Sequence, residues 1–415
     1  MKILHIVAGD LNGGAAKGAY CLHKGLLELG LDSKILTNSV TTFGDERVVS
    51  VAAGKKGRIR NMIRGQFDSL SASLYRKREK IIFSTGFFGF DFTKTKEYKE
   101  ADIIHLHWIN NGFVNIKHLR KVKKPIVWTI RDMWPMTGGC HVAEAINCKK
   151  YKTKCGKCKQ LKSNWSFDLS YIVHKRKRKY LPRHTKIVGI SNWIAEKAKE
   201  SNLFKNFDVS MINNNVDSNI FYSVEKRVAK KILNLKTDKK VILTGAGDNS
   251  NHWKGFYKFL NATKSLDKNK YLLCFFGKLN NDVIRDIKET GFEYKLFGYI
   301  QDQISLRLIY SAADIFVAPS IMDSFGKTLA ESMACGTPVV CFDSTGPKDI
   351  VDHHLNGYKA EPFKPDDLAR GIKWVLNGSD YEKLCQNARE KVVKNFDSKV
   401  IAGKYKSLYK EILRK

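Results

Sequence analysis

From one end of the chain to the other, short runs rich in Ile and Val alternate with stretches of helical pattern. "KILHIVAG", "DSKILTN", "ADIIHLHW", "PIVWTIRD" and "TKIVGISN" mark the first half; "VILTGAG", "YLLCFFGK", "YKLFGYI", "ADIFVAPS" and "TPVVCF" mark the second. Runs that are apolar throughout have no wet face, so they call for parallel strands covered by helices on both sides. A chain of 415 residues is too long for one small core. The expectation is α/β, with two doubly wound domains facing each other across a cleft. They should cover residues 1–208 and 209–396, and the polar stretch "MINNNVDSNIFY" (211–222) reads as the crossing. The tail over 397–415 reads as an amphipathic helix free to pack back on the first domain.

With 43% apolar residues the chain can fold, which excludes wholesale disorder. No apolar run approaches the ~18 residues of a membrane span. The start "MKILHIVAGD" reads as a buried first strand, not a signal peptide, so a cytoplasmic chain is expected. Its nine cysteines would then be thiols or metal ligands. The formal charge is +32, concentrated early: residues 1–200 hold 39 Lys and Arg against 16 acids, the rest 34 against 25. The basic runs "KKGRIRNMIRG", "YRKREK" and "HKRKRKYLPRHTK" would attract nucleic acid, anionic lipid or phosphorylated substrates, or form a merely solvated surface. Nucleic acid is not an expected partner: no RNP, helix-turn-helix or zinc-finger pattern accompanies the charge, and few aromatics interleave it.

Parallel sheets bind ligands at the carboxyl ends of their strands. Three loops qualify there: "GDLNGGAAKGA", "GAGDNSNHWKG" and "PSIMDSFGKT". The first fails the dinucleotide fingerprint, its glycines being Gly9, Gly13, Gly14 and Gly18. "FGKT" resembles the end of a P-loop, but the leading glycine is replaced by Ile321. No D-x-D occurs, so phosphate chemistry here must rest on cationic side chains and helix dipoles. In "IMDSFGKTLAESMACGTPVV" Gly336 and Pro338 read as a helix stop. Were the segment helical throughout, Asp323 and Glu331 would stand roughly 12 Å apart. That is too far to share one reacting atom, but it would let them grip two ends of a ligand with N–H groups of Phe325 to Thr328 between them. The plainer alternative is a dipole-complementing acid and a surface glutamate.

"DSFGKTLAE" followed by "SMACGTPVV" resembles the E-x7-E segment of retaining glycosyltransferases of family 4, which have the GT-B fold of two Rossmann-like domains. "GGA" (13–15), "ISNW" (190–193), "NNNVDSNIF", "HWKG" (252–255) and "APS" (318–320) fall in the same order. "IRDMWPMTGGCH" (130–141) is similar to the exopolysaccharide and colanic-acid-type branch. The resemblance implies that Glu331 binds the nucleotide ribose and Asp323 contacts the donor sugar. Ser324, Phe325, Gly326, Lys327 and Thr328 would surround sugar and diphosphate, and Lys254 would neutralise the leaving diphosphate. Gly13 and Gly14 would let backbone approach the donor phosphate. Arg131 stands where many relatives carry a donor-contacting histidine, and it cannot serve as a base. Asn249 stands where a phosphate-binding Arg is expected, and the first acid is Asp, not Glu.

Single residues carry further expectations. Cys140, Cys148, Cys155 and Cys158 suit a tetrahedral structural zinc; unligated thiols or a redox pair are the alternatives. His105 and His107 should point the same way from one strand, His107 lining the cleft or serving as a hydrogen-bonded structural residue. The implied reaction moves a sugar from a nucleoside diphosphate sugar to a hydroxyl, with retention and no catalytic cofactor or metal. The acceptor would be a glycan or lipid-linked intermediate at an anionic membrane surface. The alternatives are an epimerase of the same fold, a non-catalytic assembly subunit and a nucleic-acid-binding protein.

Overall fold

Ten apolar runs become ten of the thirteen strands of two parallel sheets in a computed structural model that describes residues 1–40, 44–378 and 380–414. The first sheet contains β1 (Lys2–Val7), β2 (Asp32–Thr37), β3 (Val48–Ser50), β4 (Ile103–Leu106), β5 (Ile126–Ile130), β6 (Thr185–Gly189) and β7 (Val209–Met211). Their spatial order is β3-β2-β1-β4-β5-β6-β7, every pair parallel. The second contains β8 (Lys240–Asp248), β9 (Tyr271–Lys278), β10 (Tyr294–Leu296), β11 (Ile315–Ala318), β12 (Val339–Phe342) and β13 (Gly357–Ala360), in the order β10-β9-β8-β11-β12-β13 and again all parallel. Central strands β4, β5, β11 and β12 are buried along their whole length, as two helical layers require.

The sheets belong to two compact units, Met1–Asn213 with Ile401–Lys415, and Asn214–Val400. The first boundary falls after 213, not 208, because β7 still pairs with β6. The C-terminal helix, Ser398–Arg414, sends Ile401, Tyr405 and Tyr409 into the core of the first unit beside Ile3, Leu22 and Ile103; Lys415 lies outside the described residues. Strand order reverses between β1 and β4 in one sheet and between β8 and β11 in the other, which opens a crevice at the carboxyl ends of each pair. No described helix is long and apolar enough to cross a membrane.

Candidate functional site

At the β8/β11 switch point two loops are stitched together through their backbones. Ile321 and Met322 donate to the Trp253 carbonyl at 2.8 and 3.2 Å. This fixes the single turn His252–Lys254 against the loop after β11, and Lys254 Nζ reaches Asp323 Oδ2 at 2.7 Å. The other carboxylate oxygen of Asp323 accepts N–H bonds from Phe325 (3.2 Å) and Gly326 (3.0 Å). Its backbone N–H donates to Thr345 Oγ1, and its carbonyl accepts from Gly346. Burial alone would raise the Asp323 carboxyl; the Lys254 ammonium and the two N–H groups outweigh it and hold the group below the usual carboxylate range.

The helix that follows does not extend through the whole segment. It runs Lys327–Ala334, with Gly326 at φ +99° as an N-cap that offers no side-chain bond. Asp323 therefore lies outside it, and the N–H groups of Phe325 and Gly326, expected to be free, are taken by Asp323 itself. The first helical turn opens at Lys327 and Thr328. Gly336, at φ +77°, ends the helix, as read. Glu331 is buried, not on the surface: Oε1 lies 3.0 Å from Lys327 Nζ, and Oε2 accepts from the Tyr310 hydroxyl at 3.1 Å. Burial and the adjacent Glu331 raise the Tyr310 phenol well above its ordinary value, so it stays a donor. The edge thus presents two lysine–carboxylate pairs, Lys254–Asp323 and Lys327–Glu331. Ser324 and Thr328 are half-buried beside them, while Phe325 is buried against Phe396. Asn249 is different: it is buried, with its amide donating to the Phe276 carbonyl at 2.8 Å, so it shapes the bulge at the end of β8 and offers no amide to a ligand.

In the first unit Gly13 caps helix Gly14–Glu28, and a Cβ at either Gly13 or Gly14 would meet nothing within 4 Å, so this backbone is open to approach. His107 does not face solvent. It is 2% exposed, its Nε2 lies 2.9 Å from His5 Nδ1, and the Arg131 guanidinium lies 3.4 Å from its Nδ1. The reason is register: His5 and His105 pair across β1 and β4, His105 and His107 do point the same way, and all three rings pile up inside the layer. His107 is thus the support on which Arg131 rests. Burial pulls the Arg131 guanidinium down to about 10, which leaves it charged.

Trp134 and Trp193 are core residues, and Trp108 donates its indole N–H to Asp132 at 3.0 Å. The four cysteines of the expected metal set are all buried, reduced, and around one small cavity. Sequence reasoning passed over Tyr310, Thr345 and the chain Ser84–His141–Asp132, with contacts of 3.0 and 2.7 Å. That chain has the bond order of a hydrolytic triad, yet Ser84 and His141 are 5% and 3% exposed, so no substrate reaches the hydroxyl. Asp132 and His141 lie in the quoted "IRDMWPMTGGCH", but nothing there points to Ser84, and only folding brings these residues together.

Residues 225–392, which carry both lysine–carboxylate pairs, match the family "Glycosyl transferases group 1". The match spans most of the second unit, Asn214–Val400. A glycosyltransferase of Methanocaldococcus jannaschii is 26% identical over 322 residues, 74% of this chain and 75% of its own. Among solved structures, sucrose-phosphate synthase from Thermosynechococcus elongatus superposes with a TM-score of 0.70 at 18% identity, covering 100% of both chains. Anabaena HepE, solved with UDP-glucose, gives 0.65 at 15% identity over 99% of this chain and 100% of its own. At such identities the likeness is one of fold, GT-B, and it extends over both units.

Proposed function

We propose that this chain is a retaining, metal-independent glycosyltransferase that moves a sugar from a nucleoside diphosphate sugar to a hydroxyl acceptor. One observation carries the reading: two lysines, each locked to a carboxylate, flank an uncapped helix N-terminus at the β8/β11 switch point. Two cations and a helix dipole suit a diphosphate without needing a metal bridge. Glu331, acceptor-only when ionised, suits a pair of ribose hydroxyls. Lys254 stabilises the departing diphosphate as the C1–O bond breaks. The acceptor oxygen bonds C1 from the same face, and its proton passes to the diphosphate. Asp323 acts by positioning Lys254 and the turn Phe325–Gly326. HepE's complex with UDP-glucose supports a nucleotide-sugar donor.

The test is thermal unfolding with UDP, GDP, CDP and ADP, for the native chain and Glu331→Gln. One nucleotide at 100 times its dissociation constant should add about 2.7 kcal/mol to the native chain and much less to the variant. Turnover should be unchanged by EDTA, and the product should keep the donor's anomeric configuration. Stabilisation by no nucleotide, a Mg²⁺ requirement or an inverted product would each sink the reading.

The acceptor side of the proposal is a glycan or lipid-linked intermediate of exopolysaccharide type, met by an enzyme bound peripherally to the cytoplasmic face of an anionic membrane. It is supported by helix Gly54–Ser73 of the first unit. Ile59, Met62, Ile63, Phe67 and Leu70 recur on one face at helical spacing and are 42–56% exposed. Arg58, Arg60 and Arg64 flank the stripe, and the helix's one acid, Asp68, is turned inward to Thr85 and Phe87. An exposed apolar stripe edged with arginines matches an anionic lipid interface. Co-sedimentation with vesicles containing phosphatidylglycerol should exceed that with pure phosphatidylcholine and drop on Ile59→Ser with Phe67→Ser. Equal binding to both vesicles would remove this part of the proposal.

A further inference from the structure

We propose that Cys140, Cys148, Cys155 and Cys158 hold a structural Zn²⁺ as a tetrathiolate. The four come together from a stretch that otherwise lacks scaffolding. Between Ile130 and Leu169 the described chain forms no strand and no α-helix, only three single 3₁₀ turns. Irregular segments of that length inside a compact domain need a staple or a function.

Backbone amides are aimed at the sulfurs: Lys150 N–H at Cys148, Gly138 N–H at Cys155, and Gln160 and Leu161 N–H at Cys158. At Cys148 and Cys158 the donors lie two or three residues after the cysteine, the arrangement of a turn wrapped round a metal-bound sulfur. Cys140 and Cys158 share a hydrogen bond of their own. The C-x-x-C turn is built for this, with Gly156 at φ +134° and Lys157 at φ +46°. Its far end is anchored by the Cys158 N–H donating to Asp168 Oδ2 at 2.7 Å.

Charge supplies an independent argument. Lys177 is 1% exposed, and its ammonium donates to the carbonyls of Trp134 and Thr137 over the Trp134 ring. Among the described residues no carboxylate lies within 4.0 Å of it. The groups whose negative charge acts on it are Cys155, Asp132, Cys140 and Asp68, in falling order. Zn²⁺ displacing four thiol protons leaves a cluster of net charge −2 beside this buried cation, adding to the more distant carboxylates of Asp132 and Asp68.

The one three-ligand set within 4.8 Å among the described residues is His5, His105 and His107. It suits a cation less well, since both nitrogens of His105 face hydroxyls of Tyr409 and Thr129 and the Arg131 guanidinium abuts His107. The cysteine sulfurs stand wider apart than that set, so Zn–S bonds of about 2.3 Å draw them inward by side-chain rotation.

The experiment uses the untagged full chain, purified without chelator. Elemental analysis should give one zinc per chain, and Co²⁺ exchange should produce thiolate-to-cobalt charge-transfer bands with tetrahedral d–d bands. Cys148→Ser and Cys158→Ser should lose most of the metal, and Cys274→Ser, buried in the other unit, should keep it. If the cysteine variants do not fold, the native chain's zinc content and cobalt spectrum decide. Substoichiometric metal with no thiolate band, a mass two hydrogens light from a disulfide, or full zinc retention in Cys158→Ser would overturn the proposal. Nucleotide-induced stabilisation reads the second unit separately, so failure here leaves the donor reading intact.

Discussion

Gly255 decides where Lys254 can stand. It sits at φ +70°, and a Cβ there would lie 1.7 Å from the Pro319 carbonyl oxygen, so the turn carrying Lys254 abuts the loop carrying Asp323 with no room for a side chain. Gly255→Ala should therefore lower the unfolding temperature and cut turnover roughly a hundredfold, the cost of an ångström's misplacement at a reacting centre. Gly247→Ala, whose Cβ meets nothing within 4 Å, should do neither. Lys254→Ala should reduce kcat by about 10²–10³ with a smaller change in KM, since the ammonium acts on charge that develops as the diphosphate leaves. Steady-state kinetics on the three variants checks both expectations. The residue types at this site were legible in the sequence; their pairing was not. Nothing in the sequence showed that Asp323 holds Lys254 and a turn, or that Asn249, standing where an Arg is expected, is tied to the Phe276 carbonyl.

The same limit holds for whole elements. The strands read from the sequence are those with long apolar runs, whereas β3, β7 and β13 went unread. They are three or four residues long at sheet edges, and β3 and β7 are only partly buried, so no run of Ile and Val marks them. Helix Leu169–Tyr180 gives an element-scale prediction. Asp168 caps it through Tyr171 N–H at 3.2 Å, takes the Ser170 hydroxyl at 2.6 Å, and holds Cys158 N–H with its other oxygen. Asp168→Ala removes a cap worth about 1 kcal/mol and orphans a buried N–H at a cost of about 1–3 kcal/mol. The urea midpoint of the first unit should fall accordingly, and Asp168→Asn should recover much of the loss. An unchanged midpoint would show that the cap and the cysteine loop are not coupled.

Across the molecule, acid sensitivity should be uneven. Burial pushes the imidazoles of His5, His105 and His107 well below the ordinary histidine value and those of His23 and His174 to about 4, all in the first unit. Below about pH 6.5 the unfolded chain binds protons that these folded sites refuse, so the unfolded state gains and stability falls as pH falls toward 4. Above pH 6.5 neither state binds them and stability is level. Each site contributes up to about 1.4 kcal/mol per pH unit within that window. Thermal unfolding from pH 8 to 5 should therefore show a flat upper limb and a steep lower one, with the five tryptophans of the first unit reporting the loss. A temperature midpoint constant down to pH 5 would contradict this.

The sequence by itself determined the layered parallel architecture and the two-domain organisation, and it marked the stretch to which the donor chemistry is assigned in the proposal. Apolar runs of a set length and glycine–proline punctuation act locally and survive in one dimension. The tertiary structure alone decided that Glu331 is buried between Lys327 and Tyr310, that His107 supports Arg131, and that the apolar stripe of helix Gly54–Ser73 is left uncovered. Each of these depends on which faces meet across distant segments, as Tyr310 meets Glu331 from a neighbouring helix and His5 meets His107 from a neighbouring strand. Burial and partner choice are properties of that meeting, and no local pattern encodes them.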